Sequence, residues 1–326
     1  MNIKELIASW AKKPKNNMQI LGNLFYHRVL PVDFLDKYYI SAANPSILYD
    51  EASGLFFINV RNTNYRLKKN RNGAYCCPLM DMKKGKAFET RNFITVCRNP
   101  MEENLQWYLV KEQKRKYYCN KHGFEDARLV KWNNNLWLSA TLCDYNTGSM
   151  GRITLVKLNK NYEELEHHIL EGTCNDCTFV EKNYQPVLDK PFHYIVSTDP
   201  TVVSVYNMSS LRPKYIKGTS GMCIGTGMMG SYRGSSQVVP YKDGYVSIVH
   251  HCDREENGQR NYWHHFVTYD KDFKVLRISQ PYKFEGAFVE FCAGMAIKDD
   301  FAYIAYSVMD KDASIMRIPM EDVLSL

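Results

Sequence analysis

The chain has 326 residues, of which 13% are aromatic, including 23 Tyr, and its formal net charge at pH 7 is +7. A chain of this length can bury a full core, but Ala-rich and Leu-rich stretches are scarce, so the composition argues against an all-α protein and favours an all-β one. No run approaches the roughly 20 apolar residues of a membrane helix, and the positive charge suits an anionic partner such as phosphate, a sugar nucleotide or an acidic glycan.

The first 17 residues carry lysines at both ends of a short apolar patch and have no long hydrophobic stretch. We therefore expect no secretory signal and a cytoplasmic location. The ten cysteines follow no regular framework, which is typical of reduced cytosolic thiols. Cys174 and Cys177 form one C-x-x-C pair, but no second pair stands at zinc-ribbon spacing, so we predict no metal site and no cofactor.

One unit recurs along the rest of the chain: a polar start, an apolar strand, a polar turn and a returning strand. This pattern predicts β-hairpins whose polar groups are concentrated at one end. The five units start at Asn44, Glu125, Glu181, Arg233 and Glu290. Apart from one long insertion after the first, the starts are about 50 to 60 residues apart, which is the size of a four-stranded propeller blade.

Further alternating segments supply outer strands, at 152–158 and 165–170 for the second unit and at 262–269 and 275–278 for the fourth. The fifth unit has only one more strand, at 314–318. We expect its missing outer strand to come from residues 18–30, which would close the ring and remove an open sheet edge. The predicted organisation is an N-terminal segment with the ring-closing strand at 1–40 and an all-β, five-bladed propeller at 41–326.

Five blades place the starts of their inner strands around one axis, so the polar side chains of the five units should meet on one face. Each motif alone fits a structural hydrogen bond or ion pair, but five at equivalent positions predict one site. Asp126 lies between a carboxylate, Glu125, and a guanidinium, Arg128, which pull its pKa in opposite directions. Carboxylates, amides, a guanidinium and aromatic rings together suit a sugar, which presents hydroxyls and apolar ring faces.

For two other motifs we favour a structural role over a functional one. The basic run at 111–116 is read as a solvated loop. Asp310 and Asp312 have the D-x-D spacing of metal-dependent sugar-nucleotide transferases, but at a strand end a turn-forming role is favoured.

The hairpin starts resemble the five-bladed β-propeller enzymes of glycoside hydrolase family 130, the β-mannoside phosphorylases and hydrolases, and the related β-1,2-mannosyltransferases. In that family a Glu-Asp-Pro-Arg motif supplies the catalytic Asp, and residues 125–128 are similar, with Ala127 in place of Pro. The resemblance therefore implies that Asp126 is catalytic. Further matches to the family's motifs are Asn44, Ser46, Arg61, Lys182 and Asn183.

A closer resemblance is to bacterial propeller domains that are often joined to, or encoded beside, glycosyltransferases. It implies association with other glycan-assembly enzymes. Those domains carry Arg-Gly-Gly-Ser-Gln, a His ending the next strand, Tyr-x-His-Arg-Phe and a late Glu-Phe. The matching residues here are Arg233, Gln237, His250, Tyr262, His264 and Glu290. His265 replaces the arginine of the third motif, which removes one candidate phosphate ligand.

The resemblance implies an inverting single displacement at a β-glycosidic bond, with Asp126 moving the proton. A phosphorylase or transferase needs cationic groups for phosphate. The candidates for phosphate binding are Arg128, Lys182, Arg233, His250 and His264. The candidates for substrate binding are Asn44, Ser46, Arg61, Asn64, Glu125, Asn183, Gln237, Tyr262, Glu290 and Asp310. A hydrolase needs a second carboxylate, for which the candidates are Glu125, Glu181 and Glu290.

Glycosyl transfer from a sugar phosphate or sugar nucleotide to a glycan acceptor is the function that the closer resemblance favours. The alternative is β-mannoside phosphorolysis or hydrolysis, because the sequence does not separate the directions of the reaction. Two alternatives from other classes stay open. A glycan-binding propeller would bind sugar without forming product, and a scaffold propeller would hold only water at its axis.

Overall fold

The computed structural model describes residues 19–77, 87–148, 150–172, 181–217 and 232–326. These residues form 26 strands, one 3-10 turn (Leu21–Asn23) and a six-residue α-helix, α1 (Met320–Ser325). The class is therefore all-β, as the sequence predicts. Within these ranges no helix has the length and apolar character needed to cross a bilayer. The C-x-x-C pair and the first 17 residues lie outside the described residues.

The chain enters through two short strands and then builds its first large sheet. The two entry strands are β1 (Gln19–Ile20) and β2 (His27–Val29). The first sheet contains β3 (Ser41–Asp50), β4 (Leu55–Thr63), β7 (Phe88–Cys97), β8 (Tyr108–Leu109) and β9 (Lys121–His122). Between β4 and β7 a small separate hairpin is formed by β5 (Lys68–Lys69) and β6 (Tyr75–Cys76).

The second and third sheets have four antiparallel strands each, in simple sequential order. The second contains β10 (Glu125–Trp132), β11 (Asn135–Leu142), β12 (Arg152–Leu158) and β13 (Glu164–Ile169). The third contains β14 (Gln185–Pro186), β15 (His193–Thr198), β16 (Thr201–Asn207) and β17 (Arg212–Lys217).

The fourth and fifth sheets each take a strand from the entry segment. The fourth contains β18 (Arg233–Gly234), β19 (Val239–Tyr241), β20 (Gly244–Arg254), β21 (Arg260–Asp270), β22 (Val275–Ile278) and β23 (Tyr282–Lys283), with β1 parallel to β23. The fifth contains β24 (Glu290–Lys298), β25 (Phe301–Val308) and β26 (Asp312–Pro319). Strand β2 lies antiparallel to β26, with His27 opposite Met316, as the fourth strand of this sheet.

Five hydrophobic clusters lie between the sheets, and each is shared by two of them. Successive pairs, from first and second to fourth and fifth, are joined through Leu48 with Leu129, Trp132 with Tyr194, Val203 with Val249, and Ile248 with Ile304. The remaining cluster joins the fifth sheet to the first through Ile315 and Ile58. Sheets that pack face to face in this order form a propeller arrangement.

The inner strands begin with irregular backbone that turns polar side chains away from the sheet plane. The register of β3 shifts between Ala43 and Ser46, and that of β10 between Glu125 and Arg128. Within these shifts Asn44 has φ 45° and Asp126 has φ 51°, both left-handed. A bulge of this kind re-aims a side chain, and strained backbone of this kind is common at functional sites.

Gly294 lies where β24 of the fifth sheet approaches the first sheet. A Cβ at this position would lie 2.3 Å from the Ile47 nitrogen and 2.6 Å from the Ser46 Cα, and neither backbone atom can move aside. We expect Gly294→Ala to lower the free energy of unfolding by about 3 kcal/mol, measured by urea denaturation. The control is Gly54→Ala, where a Cβ meets no atom within 4 Å and only the left-handed backbone costs about 1 kcal/mol. Equal losses in the two variants would contradict the close approach of the sheets.

Candidate active site

Asp126 lies at the centre of a buried hydrogen-bonded cluster at the starts of the inner strands. Its Oδ1 accepts hydrogen bonds from Asn44 Nδ2 at 2.7 Å and from Arg61 Nη1 at 2.8 Å. Asn44 is itself oriented by Ser307, whose hydroxyl donates to Asn44 Oδ1 at 2.6 Å. The carboxyl group of Asp126 is therefore held in one orientation by residues from the first and fifth sheets.

Arg61 is a buried cation that positions its neighbours, and most of its N–H donors are occupied. Its Nη2 lies 3.4 Å from Glu125 Oε1 and donates to the Tyr65 hydroxyl at 3.2 Å, while its Nε donates to Thr90 Oγ1 at 3.2 Å. The guanidinium thus holds both Glu125 and Asp126 in place. The sequence analysis did not single out Tyr65, Thr90 or Ser307, because each acts on a predicted residue only after the chain has folded.

Asp126 and Asp310 are two carboxyl groups with opposite pKa shifts. Burial raises the pKa of Asp126, but the positive charges of Arg61 and Lys182 and the hydrogen bond from Asn44 outweigh it and hold the pKa below the usual value. Burial also raises the pKa of Asp310, and there the charges of Arg61 and Lys182 do not offset burial and the nearby charge of Asp126. Opposite shifts in neighbouring carboxyl groups are the pattern of a base beside a group that keeps its proton longer.

Lys182 brings a positive charge into the same cluster. Its charge acts on Asp126, Asp310 and His250, and among the described residues its ammonium forms no hydrogen bond or ion pair. Asn183, which follows it with φ 66°, is buried, and its Oδ1 has no hydrogen-bond partner within the described part of the chain. These two side chains are therefore available to a ligand.

His250 and Tyr262 line the side of the cluster formed by the fourth sheet. Burial, together with the charges of His264 and Arg233, holds the pKa of His250 well below its usual value, so the imidazole is neutral at pH 7. Its Nδ1 lies 2.8 Å from the Ser235 hydroxyl. The rings of His250 and Tyr262 are 5.6 Å apart, and burial raises the pKa of Tyr262 to about 12.

Arg260 is a further cation at this side that the sequence analysis missed. It begins β21, and its charge acts on both Tyr262 and Asp310. In the sequence it stands in an unremarkable polar tip between two strands. Only the pairing of β20 with β21 brings it near the predicted site.

Arg128 was predicted to bind phosphate, but the structure uses its donors elsewhere. Nε donates to the Ser235 carbonyl at 2.6 Å, Nη1 to the Asp126 carbonyl at 3.2 Å and Nη2 to the Gly234 carbonyl at 3.4 Å. The side chain is buried, and burial lowers its pKa to about 10. Arg128 therefore links the second and fourth sheets and supports the backbone of Asp126, and its phosphate contact stays a prediction.

Gln237 was predicted to bind substrate, and its amide is instead fully used between sheets. Its Nε2 donates to the Ile47 carbonyl at 3.0 Å and to the Leu129 carbonyl at 2.8 Å, and its Oε1 accepts from the Met295 nitrogen at 3.1 Å. The residue is 0% exposed. Gln237 thus joins the fourth sheet to the first, second and fifth sheets at the axis.

Ser46 and Glu290 were also predicted to bind substrate, and both bond to backbone. Ser46 Oγ accepts from the Leu129 nitrogen at 3.2 Å. Glu290 accepts from the nitrogens of Phe284, Glu285 and Ala287 at 2.7 to 2.9 Å and holds the loop before β24. These bonds give both side chains a structural role, and their sugar contacts stay predictions.

Asn64 follows the end of β4, and His264 lies in β21 with its ring 6.3 Å from that of His250. Asn64 holds the polypeptide between β4 and β7, donating to the Ala87 carbonyl at 3.0 Å and accepting from the Glu89 nitrogen at 3.0 Å. His264 is 0% exposed and packs 4.7 Å from the Phe284 ring in the core between the fourth and fifth sheets. The sugar contact of Asn64 and the phosphate contact of His264 stay predictions, and neither ring nitrogen of His264 has a hydrogen-bond partner among the described residues.

No protein-family model matches the chain, and no curated protein matches its sequence. Solved structures do match its fold. Beta-1,2-mannobiose phosphorylase from Listeria innocua aligns with a TM-score of 0.61 at 13% identity, over 93% of this chain and 98% of that one. A GDP-Man-dependent mannosyltransferase from Leishmania mexicana aligns with a TM-score of 0.50 at 12% identity, over 98% and 95%.

A third matching structure is one from the GH130 family of mannoside phosphorylases, which contains glycoside hydrolases that target beta-1,2 mannosidic linkages in Candida mannan. It aligns with a TM-score of 0.58 at 12% identity, over 86% of this chain and 85% of that one. The structural neighbours are thus the propellers that the hairpin starts resemble. At these identities the likeness shows that the chain has their fold, an all-β propeller with a polar cluster at the starts of its inner strands.

Proposed function

We propose that the protein is a carbohydrate-active enzyme that forms or cleaves a β-glycosidic bond by an inverting single displacement, and that glycosyl transfer is its reaction. The observation that carries the proposal is the cluster at Asp126, a buried carboxyl group that is oriented by Asn44 and Arg61. The charge of Lys182 acts on it, and this lysine has no ion-pair partner among the described residues. An oriented proton acceptor next to a cation matches a reaction in which a hydroxyl attacks and a phosphate leaves.

We also propose that the five sheets are the blades of one ring, with an N-terminal segment at 1–40 and a catalytic propeller domain at 41–326. The order of the five shared hydrophobic clusters supports five blades. The pairing of β2 with β26 supports closure of the ring by the N-terminal segment.

In the proposed transfer, Asp126 takes the proton of the acceptor hydroxyl while the acceptor oxygen bonds to the anomeric carbon. The bond from that carbon to the donor phosphate breaks, and the phosphate departs with the electron pair. Lys182 and Arg233 stabilise the negative charge, and neutral His250 donates a hydrogen bond to it. The lowered pKa of Asp126 suits this role, since the group is ionised at neutral pH.

The sugar itself is proposed to contact the remaining polar groups of the cluster. Asn183 offers an amide oxygen that has no hydrogen-bond partner within the described ranges, and Tyr262 offers an aromatic face with a hydroxyl. Glu125 and Asp310 can accept hydrogen bonds from sugar hydroxyls. A donor that is a sugar phosphate or sugar nucleotide fits the cationic side of the cluster.

The second candidate is phosphorolysis of a β-mannoside, in which the same cations hold inorganic phosphate as the nucleophile. The positive charge of Lys182 near Asp126 favours it equally, and Asp310, with its raised pKa, supplies a proton donor for the departing sugar. Hydrolysis instead requires a carboxylate that activates water, and Glu125 is the candidate with a side chain near Asp126. A non-catalytic glycan-binding propeller would keep its sugar affinity and form no product.

A thermal-shift experiment tests whether phosphate is part of the chemistry. The probes are inorganic phosphate, mannose 1-phosphate and GDP-mannose. A ligand at about 100 times its Kd adds about 2.7 kcal/mol to the stability of the native state, so we expect at least one probe to raise the Tm. Lys182→Met should weaken its binding about tenfold, or by about 1.4 kcal/mol.

The matched control is Lys274→Met, an exposed lysine in the turn between β21 and β22, which should leave the shift unchanged. An absence of any shift with all three probes, or an equal shift in the wild type and Lys182→Met, contradicts the phosphate-dependent proposal. The probe that binds then serves as the donor or nucleophile in turnover assays with β-1,2-mannobiose.

A further inference from the structure

The basic run at 111–116 is not the uniformly solvated loop that its composition predicts. Arg115 lies inside it with a side chain only 12% exposed. Its Nη2 is 2.7 Å from Glu112 Oε2 and 3.3 Å from Asp144 Oδ2, and its guanidinium lies 4.4 Å from the Phe124 ring centroid. This buried ion-pair network fixes the loop to the second sheet, so the residues around Arg115 have a defined position.

The same loop lies at the end of the second sheet that carries Asp126. The Tyr118 nitrogen donates to the Asp144 carbonyl at 2.8 Å, and the Gly123 nitrogen donates to Asp144 Oδ2 at 2.9 Å. Asp144 follows the end of β11 that pairs with Glu125. Tyr118 therefore lies next to the strand end that pairs with Glu125, the neighbour of Asp126.

Four side chains of this loop are exposed, and we name them together the rim platform: Lys114, Lys116, Tyr117 and Tyr118. The two tyrosines are 49% and 46% exposed. Tyr117 is stacked on His122 at 3.9 Å with 12° between the rings, and the Lys116 ammonium lies 4.8 Å from the Tyr118 ring centroid. From residue 113 to 118 every charge is positive.

We propose that the rim platform binds the acceptor glycan and that this glycan carries anionic groups. The inference rests on the proposed transfer reaction, since it assigns the acceptor side of that site. Exposed tyrosine rings present apolar faces on which sugar rings stack. Lysine ammonium groups act as point charges for carboxylate or phosphate substituents. Because Arg115 already orders the loop, binding loses little conformational entropy.

Calorimetry tests the platform without requiring turnover. The Asp126→Asn variant is titrated with a mannose hexamer, which is neutral, a galacturonic acid hexamer, which is carboxylated, and a mannose hexamer with a terminal phosphate. At about 50 mM NaCl, where screening is weak, at least one anionic probe should bind about tenfold more tightly than the neutral one. The probe that does so distinguishes carboxylate from phosphate recognition.

Two double variants separate the two parts of the platform. Lys114→Ala with Lys116→Ala should weaken the anionic probe about tenfold and leave the neutral one unchanged, whereas Tyr117→Ala with Tyr118→Ala should weaken both about tenfold. The matched control is Lys271→Ala with Lys274→Ala, in the turn between β21 and β22, with no expected change. Each variant keeps Arg115, so its Tm should equal that of the wild type.

Binding of all three probes with equal affinity, no binding, or wild-type affinity in both platform variants overturns the inference. These outcomes are separate from a failure of the proposed function. If transfer turnover survives in Asp126→Asn while the lysine variant loses the anionic probe, the catalytic role of Asp126 is wrong and the platform stands. If turnover is lost in Asp126→Asn while both platform variants bind normally, the platform is wrong and the reaction stands.

Discussion

Asp126→Asn should lower kcat by about 10²- to 10⁴-fold, the range that a positioned general acid or base contributes. The amide cannot take the proton of the attacking hydroxyl. Its oxygen can still accept the hydrogen bonds that Asn44 and Arg61 make to Oδ1 at 2.7 and 2.8 Å, so the local geometry should persist. We expect the KM of the donor and the far-ultraviolet circular dichroism spectrum to stay close to those of the wild type.

The pH profile adds a signature that a purely structural role would not produce. Burial raises the pKa of Asp126, yet Arg61 and its neighbours lower it below the usual value, so the acidic limb of kcat should lie at low pH in the wild type. Removing the cation in Arg61→Met should raise this pKa and move the acidic limb to higher pH. Equal kcat in the wild type and Asp126→Asn with every donor, or an acidic limb that Arg61→Met leaves in place, contradicts the assignment of Asp126.

Gln237→Leu should cause a large loss of stability, because its amide serves three backbone groups on three other sheets. The Ile47 and Leu129 carbonyls and the Met295 nitrogen would be left without partners in a position that water does not reach. A buried polar group without a partner costs about 1–3 kcal/mol, and we expect a total of roughly 4 kcal/mol in the free energy of unfolding. Urea denaturation measures this loss through the midpoint at constant m.

Gln113→Leu is the matched control. Its Nε2 also donates to two backbone carbonyls, those of Glu164 at 3.2 Å and Leu165 at 2.9 Å, but the side chain is exposed. Water can replace those bonds, so we expect a loss below about 1 kcal/mol. If Gln237→Leu instead keeps its stability and raises the KM for substrate, the residue contacts the sugar as the sequence analysis predicted, and its role in joining the sheets is the wrong one.

Asp126 and Gln237 have similar sequence contexts but different environments in the folded chain. Both are polar residues at the start of an inner strand, and both match family motifs. In the folded chain Asp126 lies in a bulge with φ 51° and is acted on by the charge of Lys182. Gln237 is 0% exposed and bonds to three backbone groups. Nothing in the local pattern separates these two environments, because the atoms that enclose Gln237 come from residues about 60 to 190 positions away.

The basic run at 111–116 is a second case in which the local sequence does not predict the environment of each residue. Its composition indicates solvated charges, which holds for Lys114 and Lys116. Arg115 is buried because Asp144 and Glu164, from two different strand ends, reach it only in the folded protein. In the folded protein Arg115, in the middle of this run, is therefore buried and ion-paired, and the lysines on either side of it are exposed.

The amino-acid sequence by itself determined the strands, the hairpins and their repetition, because alternation of apolar side chains and the turn residues between them act within a few neighbours along the chain. It also determined that Asn44, Arg61, Asp126 and Lys182 belong together, through motifs that recur at equivalent positions. Only the tertiary structure decided which polar residues face open space and which bind another sheet. That outcome depends on bulges, on close approach at glycines such as Gly294, and on hydrogen bonds between sheets distant in sequence.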